Sequence, residues 1–102
     1  SVTINDVTSS ESVLSLMGPK SRELLSYLTT IDINHESFPF GTSKLIDIGQ
    51  VNVRAHRITY VGELGFELYI PSEMTQNVYN LLHETAKEKQ INLMNSGYFS
   101  ID

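Results

Sequence analysis

Glu67, with Tyr60 seven positions before it, has the residue types and spacing to recognise a flat heteroaromatic ring. The two flank a Gly62-Glu63-Leu64-Gly65 turn that joins two runs of alternating hydrophobicity. A four-residue hairpin loop, residues 61–64, pairs Tyr60 with Gly65, and paired residues share a face of the ladder. Val53 and Ala55 then lie with Phe66, Leu68 and Ile70 on a core face. The opposite face carries His56, Ile58, Tyr60, Glu67 and Tyr69. An ionised carboxylate accepts two hydrogen bonds from a planar N–C–N edge, and neighbouring aromatic side chains offer a stacking surface, which suits a pterin or purine-like ring. The same residues also read as ordinary solvent-side strand positions around a turn, and the residues alone leave both readings open. Arg57 and Thr59 fall on the core side near the loop, so either the core ends there or a bulge intervenes.

Other constellations carry less. His35, His56 and His83 are too widely spaced to suggest a metal cluster, and there is no cysteine to complete one. Glu63 and Glu67 have the residue types of a glycosidase pair, but Glu63 sits in the turn, where it serves equally to cap backbone N–H groups. There is no Gly-x-Ser-x-Gly elbow, Walker loop or Gly-x-Gly-x-x-Gly. The Met17-Gly18-Pro19 corner reads as a strand-to-helix connection rather than an anion site. No catalytic residue and no metal ligand is expected.

These side chains need a sheet to hold them, and the rest of the chain supplies its elements. Residues 72–89 predict an amphipathic helix, with Ser72 as N-cap and Met74, Val78, Leu81, Leu82, Thr85 and Ala86 on one face. A second helix starts at Gly18-Pro19, buries Leu24, Leu25 and Leu28, and turns Lys20, Arg22 and Glu23 outward. Residues 13–17 and 2–7 read as strands, as do 44–48 and the two arms of the hairpin. The stretch from Thr30 to Ser43 is long for a plain connection and is expected to pack on something. The tail, residues 95–98, is turn-like, with the start of a further element at 99–102. The order predicts an α+β fold: a ferredoxin-like split βαβ layer, an antiparallel sheet with two helices on one face.

Composition bounds the function. At 102 residues one domain is the natural count. A formal net charge of −5 gives no electrostatic footprint for nucleic acid. No apolar run approaches the ~20 residues of a membrane-spanning helix, and no export signal is visible at the start. The absence of cysteine excludes a disulfide framework and a thiolate nucleophile.

Two longer segments carry a family resemblance. Residues 13–25, Val-Leu-Ser-Leu-Met-Gly-Pro-Lys-Ser-Arg-Glu-Leu-Leu, resemble the Leu-x-Gly-Pro-x-Ser-Arg-x-Leu-Leu segment of the aminomethyltransferase family, the glycine-cleavage T-protein fold. Residues 57–71 resemble that family's Tyr-x-Gly-Glu-x-Gly-aromatic-Glu hairpin. Phe38-Pro39-Phe40, Gly62-Glu63-Leu64-Gly65 and residues 95–102 are most similar to the folate-binding half of sarcosine and dimethylglycine dehydrogenases. The T-protein proper more often has an acidic residue where Leu64 stands.

The resemblance implies a tetrahydrofolate site in which Glu67 holds the pterin and Tyr60 lines the same pocket. It also implies that residues 1–102 form one subdomain, the middle part of a folate-binding domain, and a fragment not catalytic alone. The rest of the parent chain would be its partner. There an FAD domain would oxidise a small methylated amine, and tetrahydrofolate would capture the one-carbon unit. A non-catalytic relative, such as the regulatory subunit of pyruvate dehydrogenase phosphatase, and a glycine-cleavage aminomethyltransferase are the alternative readings. A bacterial cytoplasm or a mitochondrial matrix suits all of them.

Overall fold

The computed structural model describes residues 11–60 and 63–93. The strand expected at 2–7 and the segment at 95–102 lie outside them.

Alternation in the sequence becomes one sheet with an apolar side. Strand β1 spans Glu11–Met17, β2 Ser43–Ile48, β3 Val51–Tyr60 and β4 Glu63–Pro71. They lie in the order β1-β4-β3-β2, and every neighbouring pair is antiparallel. Strands β2, β3 and β4 form a meander. Strand β1 docks on the free side of β4, so β1 and β2 run in opposite directions with two strands between them. Helix α1, Ser21–Ser26, belongs to the connection between those two strands, and α2, Thr75–Glu88, follows β4. The α+β antiparallel layer with two helices is the one the sequence predicts.

The core lies between that sheet and the helices. Leu14 and Leu16 of β1, Phe66, Leu68 and Ile70 of β4, Val53 and Ala55 of β3, and Ile46 and Ile48 of β2 share one face and are buried. Leu24 and Leu25 of α1 and Val78, Leu82 and Ala86 of α2 cover it. Burial of apolar surface at about 25 cal/mol per Å² is the main term holding these layers together.

Both helices start later than the sequence suggests. Ser72 falls in a 3-10 turn, Ser72–Met74, and α2 itself begins at Thr75, whose Oγ1 donates to the Pro71 carbonyl at 3.5 Å. Gly18 adopts φ +118°, and the Ser21 hydroxyl donates to its carbonyl at 2.8 Å, so Pro19 and Lys20 belong to the turn before α1. At its far end α2 closes with a Schellman pair: Ile91 N–H donates to the Ala86 carbonyl and Gln90 N–H to that of Lys87. Gln90 holds the left-handed position, φ +58°.

The long connection packs as expected, with Ile33 and Phe38 buried in the core. The Phe38 and Phe66 rings lie 5.6 Å apart. Arg57 does not mark a bulge. It pairs in unbroken register with Phe66, is 9% exposed, and donates from Nη1 to the Phe38 carbonyl at 3.1 Å. Thr59, two positions on, is exposed, so the core ends there. Arg22 is a correction: it does not point outward, but turns in from α1 to give its Nε–H to the Ile33 carbonyl at 3.1 Å. Lys44 reaches the Asp32 and Ser37 carbonyls, each at 3.0 Å. Three cationic side chains from three elements thus satisfy backbone carbonyls of one loop, which could not otherwise be brought against the core.

Candidate functional site on the open sheet face

The β3–β4 hairpin sets the site, and its register differs from the expected one. Tyr60 pairs with Glu63 in place of Gly65, a shift of two residues along β4. A shift of two residues preserves parity, so both faces keep the residues assigned to them. What changes is who stands opposite whom: Glu67 faces His56 on β3 and Ser15 on β1. Tyr60 stands at the end of β3, four residues beyond His56, or about 13 Å along the strand.

The face away from the helices carries Val13, Ser15 and Met17 of β1, Gly65, Glu67 and Tyr69 of β4, Arg54, His56 and Ile58 of β3, and Ser43 and Leu45 of β2. Leu45 is 63% exposed on the edge strand. Gly65 lies in the middle, where an added Cβ would run into Met17 Sδ and Cε. The thioether of Met17 thus occupies the space beside Glu67 that a larger residue at position 65 would take.

Glu67 is half-buried and held from one side. The Tyr69 hydroxyl donates to Glu67 Oε1 at 3.0 Å, two residues apart on one strand and therefore on one face. The Arg54 guanidinium lies over the Tyr69 ring, 4.2 Å from its centroid, and Arg54 Nη2 donates to Glu11 Oε1 at 3.0 Å. Burial, the hydrogen bond to Glu67 and the negative charge of that carboxylate all hold the Tyr69 hydroxyl above the ordinary phenol range. It stays a donor at neutral pH. Glu67 Oε2 has no hydrogen-bond partner among the described residues. His56 Nδ1 lies 3.3 Å from Ser43 Oγ, which turns it toward β2.

Both sequence-predicted residues therefore sit on β3 and β4, but the carboxylate's near neighbours are Tyr69, His56 and Ser15. Tyr69 and Arg54 had not been singled out as partners of Glu67. The i, i+2 spacing of Tyr69 is the visible signal; the place of Arg54 beside it follows only from the register in which Tyr60 pairs with Glu63. Among the described residues no group of three or more His, Asp or Glu side chains can hold a metal ion. No helix among them is long and apolar enough to cross a membrane. Two grooves on the helix side, one against α2 and one between α1 and residues 31–34, contain neither Glu67 nor its neighbours.

Comparison with known proteins gives these residues a context. The model of the family described as "GCVT N-terminal domain" matches residues 1–102. Human mitochondrial sarcosine dehydrogenase is 40% identical over 90 residues, 88% of this chain and 10% of that protein. The mitochondrial pyruvate dehydrogenase phosphatase regulatory subunit of Mus musculus is 33% identical over 99 residues, 96% of this chain and 11% of that protein. The aminomethyltransferase of Listeria monocytogenes serotype 4a (strain HCC23) is 35% identical over 81 residues, 79% of this chain and 22% of that protein. The chain thus spans about a tenth of the dehydrogenase and regulatory-subunit relatives, and about a fifth of the transferase.

Proposed function

This chain belongs to the GCVT N-terminal domain family, and on that premise we propose that it supplies one wall of a tetrahydrofolate site in a larger one-carbon enzyme of the sarcosine or dimethylglycine dehydrogenase kind. The observation that carries the reading is the Glu67 carboxylate. It is fixed at Oε1 by Tyr69, has no partner at Oε2 among the described residues, and is set on the sheet face that the core does not use. A pterin presents adjacent ring and exocyclic N–H donors, which match a carboxylate acceptor of this kind. Glu67 would hold that edge, and Tyr60 would line the pocket further along β3. Tetrahydrofolate, when bound, supplies the nitrogen atoms that accept a one-carbon unit.

The residues of this chain do the binding and orienting. The carboxylate fixes the ring's edge, and the half-buried strand positions around it keep water from competing for those hydrogen bonds. Oxidation of a small methylated amine by FAD, and the groups that move protons in that step, are assigned to other parts of the full-length protein. A mitochondrial matrix or bacterial cytoplasm fits the compartment or source of the relatives.

The test is a titration of the full-length protein with 5-formyl-tetrahydrofolate. Glu67→Ala removes a charge-assisted acceptor and should weaken binding by about 1.5–3 kcal/mol, roughly 10- to 150-fold in Kd, with the thermal midpoint unchanged. Unchanged affinity removes Glu67 from the site.

A second reading, a non-catalytic regulatory role, is kept open by the 33% identity over 96% of the chain to a phosphatase regulatory subunit. A full-length protein that carries no flavin, reduces no dye with sarcosine, and co-purifies with a phosphatase catalytic subunit would decide for it.

A further inference from the structure

Tyr69 and Glu67 belong to a continuous chain of contacts across the open face. Glu11 on β1 accepts from Arg54 on β3, Arg54 stacks on Tyr69 of β4, and Tyr69 donates to Glu67 two residues earlier on the same strand. The geometry points to Tyr69 as a positioning residue: it holds the Glu67 carboxylate in one orientation, so that Oε2 is presented to the exocyclic N–H donor on the ligand's ring. This rests on the tetrahydrofolate reading of the same face and goes beyond it by naming what aims the carboxylate.

Three features support it. A glutamate on a strand has three side-chain torsions to fix, and freezing them before a ligand arrives lowers the entropic cost of binding. The contacts around Glu67 hold it on one side only. Tyr69 takes Oε1, while neither Ser15 nor His56, its two neighbours in register, hydrogen-bonds to it among the described residues. Tyr69 is itself immobilised: the ring lies under the Arg54 guanidinium, and Arg54 is tied to Glu11. Among the described residues, the charged and titratable groups that face the carboxylate from the neighbouring strands are Arg54 and His56 on β3 and Glu11 on β1. Arg54 contacts Tyr69 through its ring.

The experiment uses the full-length protein and two ligands, 5-formyl-tetrahydrofolate and its 2-desamino-2-methyl analogue, which lacks the exocyclic donor. Tyr69→Phe keeps the ring and the Arg54 contact but removes the hydroxyl. It should weaken 5-formyl-tetrahydrofolate about 3- to 10-fold, the net worth of one ordinary hydrogen bond felt indirectly through the carboxylate, and weaken the analogue less. The advantage of the natural 2-amino group then shrinks in the variant. Arg54→Gln, which removes the cation above the ring, should move both values the same way by a smaller factor. Equal weakening of both ligands by Tyr69→Phe would make Tyr69 a packing residue and overturn the inference. So would unchanged affinity in Tyr69→Phe alongside a large loss in Glu67→Ala, a result that leaves the folate reading standing. No effect of Glu67→Ala, with no preference for the 2-amino group in the unmodified protein, takes down the folate reading and this inference with it. Unchanged thermal midpoints in Tyr69→Phe and Arg54→Gln confirm that folding is not what is measured.

Discussion

Arg57 Nη1 lies 2.8 Å from His35 Nδ1, an arginine on the core side of a strand against a histidine on the loop above it. Arginine only donates, so Nδ1 must be the unprotonated acceptor, and the proton of the neutral ring sits on Nε2. The ring's 15N shifts should show the Nε2–H tautomer for His35 in the folded protein.

Arg57→Met tests the clasp that this pair belongs to. The substitution keeps apolar length but leaves the Phe38 carbonyl and His35 Nδ1 without their donor. A loss of about 1–3 kcal/mol is expected from the unpaired buried acceptor. Hydrogen exchange should localise the effect to residues 30–42, which denaturant titration alone would miss.

Phe38 is the loop's apolar anchor, 1% exposed against Phe66. Phe38→Ala leaves a cavity and should cost about 3–5 kcal/mol by denaturant unfolding. Phe40, two residues on and 59% exposed, should change stability by less than about 0.5 kcal/mol when truncated.

Gln90 occupies the left-handed position that ends α2. Replacement by glycine relieves a Cβ clash of about 1–2 kcal/mol and keeps both Schellman hydrogen bonds, so Gln90→Gly should raise stability. A lowered thermal midpoint would contradict this account of the helix end.

Acid should loosen the connection between α1 and β2. Asp47 is held below the ordinary carboxylate range by the Thr29 hydroxyl and then the Thr30 N–H, and Asp32 by the Asn34 N–H and then the Ser37 hydroxyl. A carboxylate with a depressed folded-state pKa stabilises the fold above its unfolded value, near 3.9, and loses that contribution as pH falls through the folded value. The thermal midpoint should therefore drop below about pH 4, with a shallower acid limb in Asp47→Asn.

Parity was the part of this layer most legible in the sequence. Val53, Ala55, Phe66, Leu68 and Ile70 alternate cleanly enough to fix both faces of the hairpin, whichever loop joins its arms. The loop itself was ambiguous, because Gly62 and Gly65 offer turn chemistry at two registers. The choice between them decides that His56, rather than Ile58, stands across from Glu67. Arg22 and Arg57 were hidden for a different reason. Their partners are backbone carbonyls of a loop 11 and 19 residues away, and no side-chain pattern announces a carbonyl. Glu67 was visible as a carboxylate beside tyrosines; the lock on it became visible only with the strands in place.

The sheet divides its labour by side. Among the described residues, every buried apolar side chain of the strands faces the helices, and Glu67, Tyr69, Arg54 and His56 all face away from them. Changes to these outer polar side chains therefore cost folding less than changes to the inner apolar ones, and selection on one side constrains the other less than it constrains itself. A lineage can exchange or abandon the ligand while the scaffold persists, so descent is recorded in the inner residues and chemical role in the outer ones.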